Sequence, residues 1–172
     1  MNPTLAEDVT LDGVMAQALA IEHEAVERYL ALADVMEVHN NRQVCELFRK
    51  MAKIETEHAN LIMAEMGWKS APAVPAHLWN RNETPESVPE DKIHYLMWPW
   101  HALQLALAAE QRAADFFAQL VERVSDDTVR SAVLKLHSEE CEHVALVQAW
   151  LEKTPQPGTD WADDPDPPRY TD

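Results

Sequence analysis

Four long stretches of the chain repeat an apolar residue every three to four positions, and in each the apolar stripe is broken by a carboxylate. The first stripe is Met15, Leu19, Glu22, Val26, Tyr29, Ala33 and Met36; it predicts a helix from about Asp12, a suitable N-cap, to Val38, where Asn40-Asn41 stops it. The second, Val44, Phe48, Met51, Glu55, His58 and Ile62, predicts a helix from Asn41 to Met66, with Gly67 placed to end it in the left-handed conformation. The third runs from Pro99 to about Val124 with Leu103, Ala106, Glu110, Ala113, Phe117 and Val121 inward. The fourth, capped by Ser125 or Asp126 and lasting to about Lys153, carries Val129, Val133, Leu136, Glu140, His143, Val147 and Trp150.

The connections between these helices set the architecture. Turns of two or three residues join the first helix to the second and the third to the fourth, which makes each pair antiparallel neighbours. Residues 68 to about 98 contain Pro72, Pro75, Pro85 and Pro89 and form no long element, though Thr84-Pro85-Glu86 suits one short helical turn. A link of that length fits a crossover along a bundle. The aromatic group Tyr95, Trp98 and Trp100 at its end is expected to pack it onto the bundle or to form a subunit contact, consistent with a homodimer. The expected fold is therefore all-α, an antiparallel four-helix bundle over residues 1–153 with a long crossover between helices 2 and 3. The tail 154–172, rich in Pro and Asp, is expected to be extended or disordered, with Trp161 and Tyr170 as possible anchors.

Composition agrees with this reading and narrows the function. A chain of 172 residues, 47% hydrophobic with only 3 Gly, suits one helical domain. Its net charge of −16 argues against nucleic acid or an anionic membrane surface as a partner. Met1 to Thr10 lacks the pattern of a secretory signal and no apolar run is long enough to span a bilayer, so the cytoplasm is the expected location. Cys45 and Cys141 form no Cys-x-x-Cys and read as two reduced thiols in or near the core.

The chemistry lies in the interruptions. Glu55-Thr56-Glu57-His58 and Glu140-Cys141-Glu142-His143 each place a Glu and a His one turn apart on a single helix face. One such motif is weak, and each residue taken singly is better explained by a protonated or hydrogen-bonded core side chain, or by a different helix phase, than by a ligand. The set is more specific. Laying the first helix pair on the second aligns Glu22 with Glu110 and Tyr29 with Phe117 at an offset of 88 residues, and Glu55 with Glu140 and His58 with His143 at an offset of 85. A doubled hairpin packed about a pseudo-twofold axis would bring four carboxylates and two imidazoles to one level. Buried together, such carboxylates repel one another and lack solvation, and no Lys or Arg lies on the stripes. Two divalent cations cancel their charge, and carboxylate with imidazole suits iron or manganese better than structural zinc. Tyr29, one period from Glu22 on the same face, reads as core packing or as a phenol hydrogen-bonded near the metals. Glu24, Glu27, Glu57, Glu139 and Glu142 fall off the stripes and read as solvated. His137 and Cys141 sit at the edge of the motif; His23, His39, His77, His94 and His101 have no in-phase acid.

On these residues the chain, from about 12 to 153, resembles the ferritin-like superfamily of dimetal carboxylate proteins. Glu22 followed by Tyr29, and Glu57-His58-Ala59, are similar to rubrerythrin and bacterioferritin helices. The resemblance implies Glu22 and Glu110 as terminal ligands, Glu55 and Glu140 as bridges, and His58 and His143 as one ligand to each of two irons. It implies an oxidoreductase, a peroxidase or ferroxidase acting on peroxide or oxygen; iron storage and a dimanganese catalase-like protein are the alternatives. Several positions depart from the pattern. Ala113 stands where rubrerythrins carry an additional carboxylate, paired Cys-x-x-Cys motifs are missing, so electrons are expected from an external donor, Thr56 replaces the haem-binding Met of bacterioferritins, and a Pro-rich tail stands in place of a fifth helix.

Overall fold

In a computed structural model, residues 9–74 and 93–166 are described. Helix α1 spans Leu11–Val38, α2 Arg42–Met66, α3 Pro99–Arg123 and α4 Asp127–Glu152. Strands are absent among the described residues. The Thr84-Pro85-Glu86 turn, His77, Pro75 and Tyr170 lie outside them.

Local chemistry sets the helix ends. The Thr10 Oγ1 accepts from the Gly13 N–H at 3.1 Å, so Thr10 is the N-cap of α1 and Asp12 lies in the first turn, a correction to the predicted start. Asp12 there still favours the helix through the N-terminal dipole. The chain leaves α1 through Asn40 at φ 58, a left-handed position that Asn tolerates. Asn41 then does two things. Its Oδ1 accepts from the Val44 N–H at 3.3 Å to cap α2, and its Nδ2 donates to the Met97 carbonyl at 2.6 Å, tying the α1–α2 turn to the approach to α3. Gly67 at φ 65 ends α2. Pro99 opens α3, and Asp126 Oδ1 accepts from the N–H groups of Thr128 and Val129 at 2.9 Å each to cap α4.

Two apolar clusters show how the helices run. One gathers the end of α1 (Tyr29, Leu32, Met36), the start of α2 (Val44, Phe48, Met51), the start of α3 (Ala102, Leu103) and Val147 near the end of α4. The other gathers the start of α1 (Val14, Met15, Leu19), the end of α2 (Ile62), the end of α3 (Phe117, Leu120) and the start of α4 (Val129, Val133). So α1 and α4 point one way and α2 and α3 the other. The main pairs, α1 with α2 and α3 with α4, are antiparallel, and the link from Gly67 to Trp98 joins opposite ends of the bundle.

The stripes hold with small shifts of phase. Ala25 and Leu120 are fully buried, whereas the predicted Val26 and Val121 are only partly so. Cys45 is buried but Cys141 is exposed, a correction for the second thiol, whose sulfur lies 3.5 Å from His137 Nε2 on the outside of α4. Tail residue Trp161 packs against the first cluster and against the rings of His94 and His101, and Tyr95 donates a hydrogen bond to Asp164. Thus the tail as far as Asp166 lies on the end of the bundle where α3 begins. Trp98 is 46% exposed. No helix is long and apolar enough to cross a membrane, among the described residues.

Candidate metal centre

Between the two apolar clusters lies a polar layer. The buried polar or charged side chains among the described residues are Gln17, Glu22, Glu55, Glu110, Glu140 and His143. Five of these six are donors singled out from the sequence. The sixth donor, His58, is half-buried.

Contacts link all six donors. His143 Nδ1 lies 3.1 Å from Glu110 Oε2, 3.6 Å from Glu140 Oε2 and 3.8 Å from Glu55 Oε1. Its Nε2 lies 3.2 Å from His58 Nε2. Glu55 in turn hydrogen-bonds Glu22. Ligand atoms of Glu55, Glu110 and His143 all fall within 4.8 Å of one another, as donors to a common cation would. Tyr29 donates to Glu110 Oε1 at 3.1 Å, across the bundle. Phe117, at the matching position of the second half, has no hydroxyl to offer, so the two halves of the layer differ.

The electrostatics follow from putting these groups in one dry layer. Burial, reinforced by the charges of Glu110 and Glu22 and by the Glu22 hydrogen bond, pushes the Glu55 carboxyl well above the usual carboxylate range. Burial followed by Glu110 and Glu139 pushes Glu140 up to about 8. Burial also works against the charged form of His143, yet the hydrogen bond to Glu110 and the nearby Glu55, Glu110 and Glu139 outweigh it, and its pKa rises. For His58, burial and the charge of His143 lower the pKa. The two imidazoles are thus pushed in opposite directions, with His143 Nδ1 against Glu110 and its Nε2 against His58 Nε2.

This arrangement is costly as it stands. Glu55 Oε1 and Glu140 Oε2 are buried with no hydrogen-bond partner, their approaches to His143 being too long for one. Each such acceptor costs about 1–3 kcal/mol. A cation in the layer would take up those lone pairs and the surplus negative charge together. The donor set, oxygen-rich with two imidazoles and no thiolate, fits two divalent transition-metal ions of the iron or manganese type.

Glu139, off the stripe and expected to be solvated, is instead half-buried, and burial raises its pKa. It stands about 100° around the helix from Glu140, at the border of the stripe, where period alone does not separate inside from outside. Glu27, Glu57 and Glu142 are exposed as read, while Glu24 is intermediate.

The family model for rubrerythrin matches residues 14–151. A crystal structure of an uncharacterized conserved protein from Magnetospirillum magnetotacticum MS-1 is similar at 35% identity with a TM-score of 0.66, covering 87% of this chain and 99% of that one. Comparison with curated proteins gives no match. A family match across all four helices, on a bundle whose buried polar layer is made of two Glu-x-x-His pairs and two further glutamates, places the chain in the rubrerythrin family of the ferritin-like superfamily.

Proposed function

We propose that the chain is a diiron oxidoreductase that uses peroxide or oxygen as oxidant and draws its electrons from an external donor. The observation that supports this most is the convergence of Glu22, Glu55, His58, Glu110, Glu140 and His143 in one layer, with buried oxygens of Glu55 and Glu140 left unpartnered. Two irons held there would each supply one electron, enough to reduce a peroxide to two waters with two protons.

The residues of this chain hold, neutralise and dry the site. By the family resemblance Glu55 and Glu140 would be the shared ligands, Glu22 and Glu110 the terminal ones, and His58 and His143 would offer one imidazole to each metal. Tyr29 fixes the Glu110 carboxylate through its 3.1 Å hydrogen bond and leaves Glu110 Oε2 facing His143. The apolar clusters above and below exclude bulk water. Burial raises the Glu55 and Glu140 carboxyls and a bound cation favours their ionised forms, so metal uptake releases acid.

The test is to load metal-free protein with ferrous iron anaerobically and mix it with peroxide and with oxygen in a stopped-flow instrument. Rapid oxidation of two irons per chain, repeated when a reductant is supplied, is the expected result. Slow oxidation with many irons accumulating per chain would favour storage. Selective retention of manganese with peroxide disproportionation would favour a catalase-like protein. The homo-oligomer and the cytoplasmic location remain part of this proposal, testable by light scattering and cell fractionation.

A further inference from the structure

His58 and His143 are matched by the internal repeat but differ in exposure: His143 is buried and His58 is not. What uncovers His58 is a pocket of about 270 Å³ between α2 and α4, floored by Met15 of α1. Its walls are Leu61, Ile62, Ala132 and Leu136, all apolar. Across its rim Lys135 Nζ meets Glu65 Oε2 at 2.7 Å, a surface ion pair joining the two helices. Glu139 lines the same space from α4.

Among the described residues, the layer is covered on its other sides. Along the bundle axis the layer is covered by the two apolar clusters. Toward α3 it ends in Glu110, which is 0% exposed, and toward α1 in buried Glu22. A molecule of a few atoms reaches the layer where its outermost donor meets the pocket, and His58 is that donor: one face lines the pocket while its Nε2 is 3.2 Å from His143. Apolar walls disfavour ions, and with Lys135 paired to Glu65 the Glu139 carboxylate is left to repel anions. The imidazole at the inner end offers a hydrogen bond to a small polar guest.

We propose that the pocket between α2 and α4 is the entrance through which a small uncharged oxygen oxidant, peroxide or dioxygen, reaches the centre, with His58 as its inner wall. This rests on the diiron oxidoreductase reading above. Ala132 and Leu61, which are not among the donors, then control access.

Two variants test it. Ala132→Phe fills the pocket, and Leu61→Trp, at a position already 64% exposed, covers its mouth with little risk to folding. Crystals of the metal-free parent under xenon pressure should show xenon in the pocket, and those of Ala132→Phe should not. Both variants should bind as much iron as the parent, yet the second-order rate constant for oxidation of their ferrous form should fall at least about tenfold; an equal fall for both oxidants indicates a shared entrance. Should Ala132→Phe fail to fold, Leu61→Trp carries the kinetic arm. Rates within about twofold of an active parent in either folded variant would overturn the entrance alone, as would xenon bound beside the donors but outside the pocket. A parent that oxidises no iron would instead overturn the functional reading on which the entrance depends.

Discussion

Glu55 and Glu140 carry most of the electrostatic cost of the site, and their titration should be visible in the stability of the metal-free protein. Burial raises both carboxyls, Glu140 from 4.5 to about 8, so the fold favours their protonated forms. A raised pKa contributes stability that is complete below the unfolded value and is lost as pH rises through the folded one. The raised pKa of His143 acts in the same direction, while the lowered one of His58 opposes it near pH 6.5. Metal-free protein should therefore melt at progressively lower temperature between about pH 5 and 9, and Glu140→Gln should flatten that slope. Thermal melts across this range check it. Replacing Tyr29 by Phe removes the bond to Glu110 inside the layer and should cost about 0.5–1.5 kcal/mol of unfolding free energy by denaturant titration, with helicity retained.

At the same scale, what could be read from the sequence divides cleanly. The buried polar layer is legible because an ionisable residue on an apolar helix stripe contradicts its surroundings, and six such contradictions repeat in register. Glu139 was not legible, because a residue at the edge of a stripe turns on a few degrees of helix rotation set by neighbouring helices. Nor was the partner of Tyr29. Helix period gives the face it occupies, but which carboxylate lies across the bundle depends on helix–helix packing, and that choice fell on Glu110.

Among the elements, the interior boundaries followed from residues whose chemistry has one good use: Asn41, Gly67, Pro99 and Asp126 all stand where their side chains or backbone freedom predict. The start of α1 was ambiguous because Thr10 and Asp12 are both good N-caps, and packing of Leu11 and Val9 onto the lower cluster favours the earlier one. Asn41 has the larger expected effect of the caps. Asn41→Ala removes the bond to Val44 and the one to Met97 together, and should cost about 1–2 kcal/mol against about 1 for Asp126→Ala, which removes a cap alone. Equilibrium unfolding of the two variants side by side checks the order.

In the molecule as a whole, the parallel course of α2 and α3 is what makes the centre symmetric. Each half brings its lone Glu and its Glu-x-x-His pair to the same height only if the second hairpin starts from the end of the bundle where the first one turns. The length of the link from Gly67 to Trp98 foretold that topology, since a short loop would have produced simple up-and-down order. Apolar layers at both ends then leave the four buried carboxyls in an interior where their charge is costly until it is neutralised. Metal should therefore stabilise the fold strongly and release protons as it binds. Calorimetric titration with ferrous or manganous ion in buffers of different ionisation enthalpy should show that release below about pH 8.

The most direct measurement is the metal content of protein purified without chelators, compared between the parent and the double variant Glu55→Gln, Glu140→Gln. The account predicts two iron ions per chain in the parent and less than about a tenth of that in a variant that keeps its helical content. A parent without metal, or a variant that retains the parent's full complement, would contradict it.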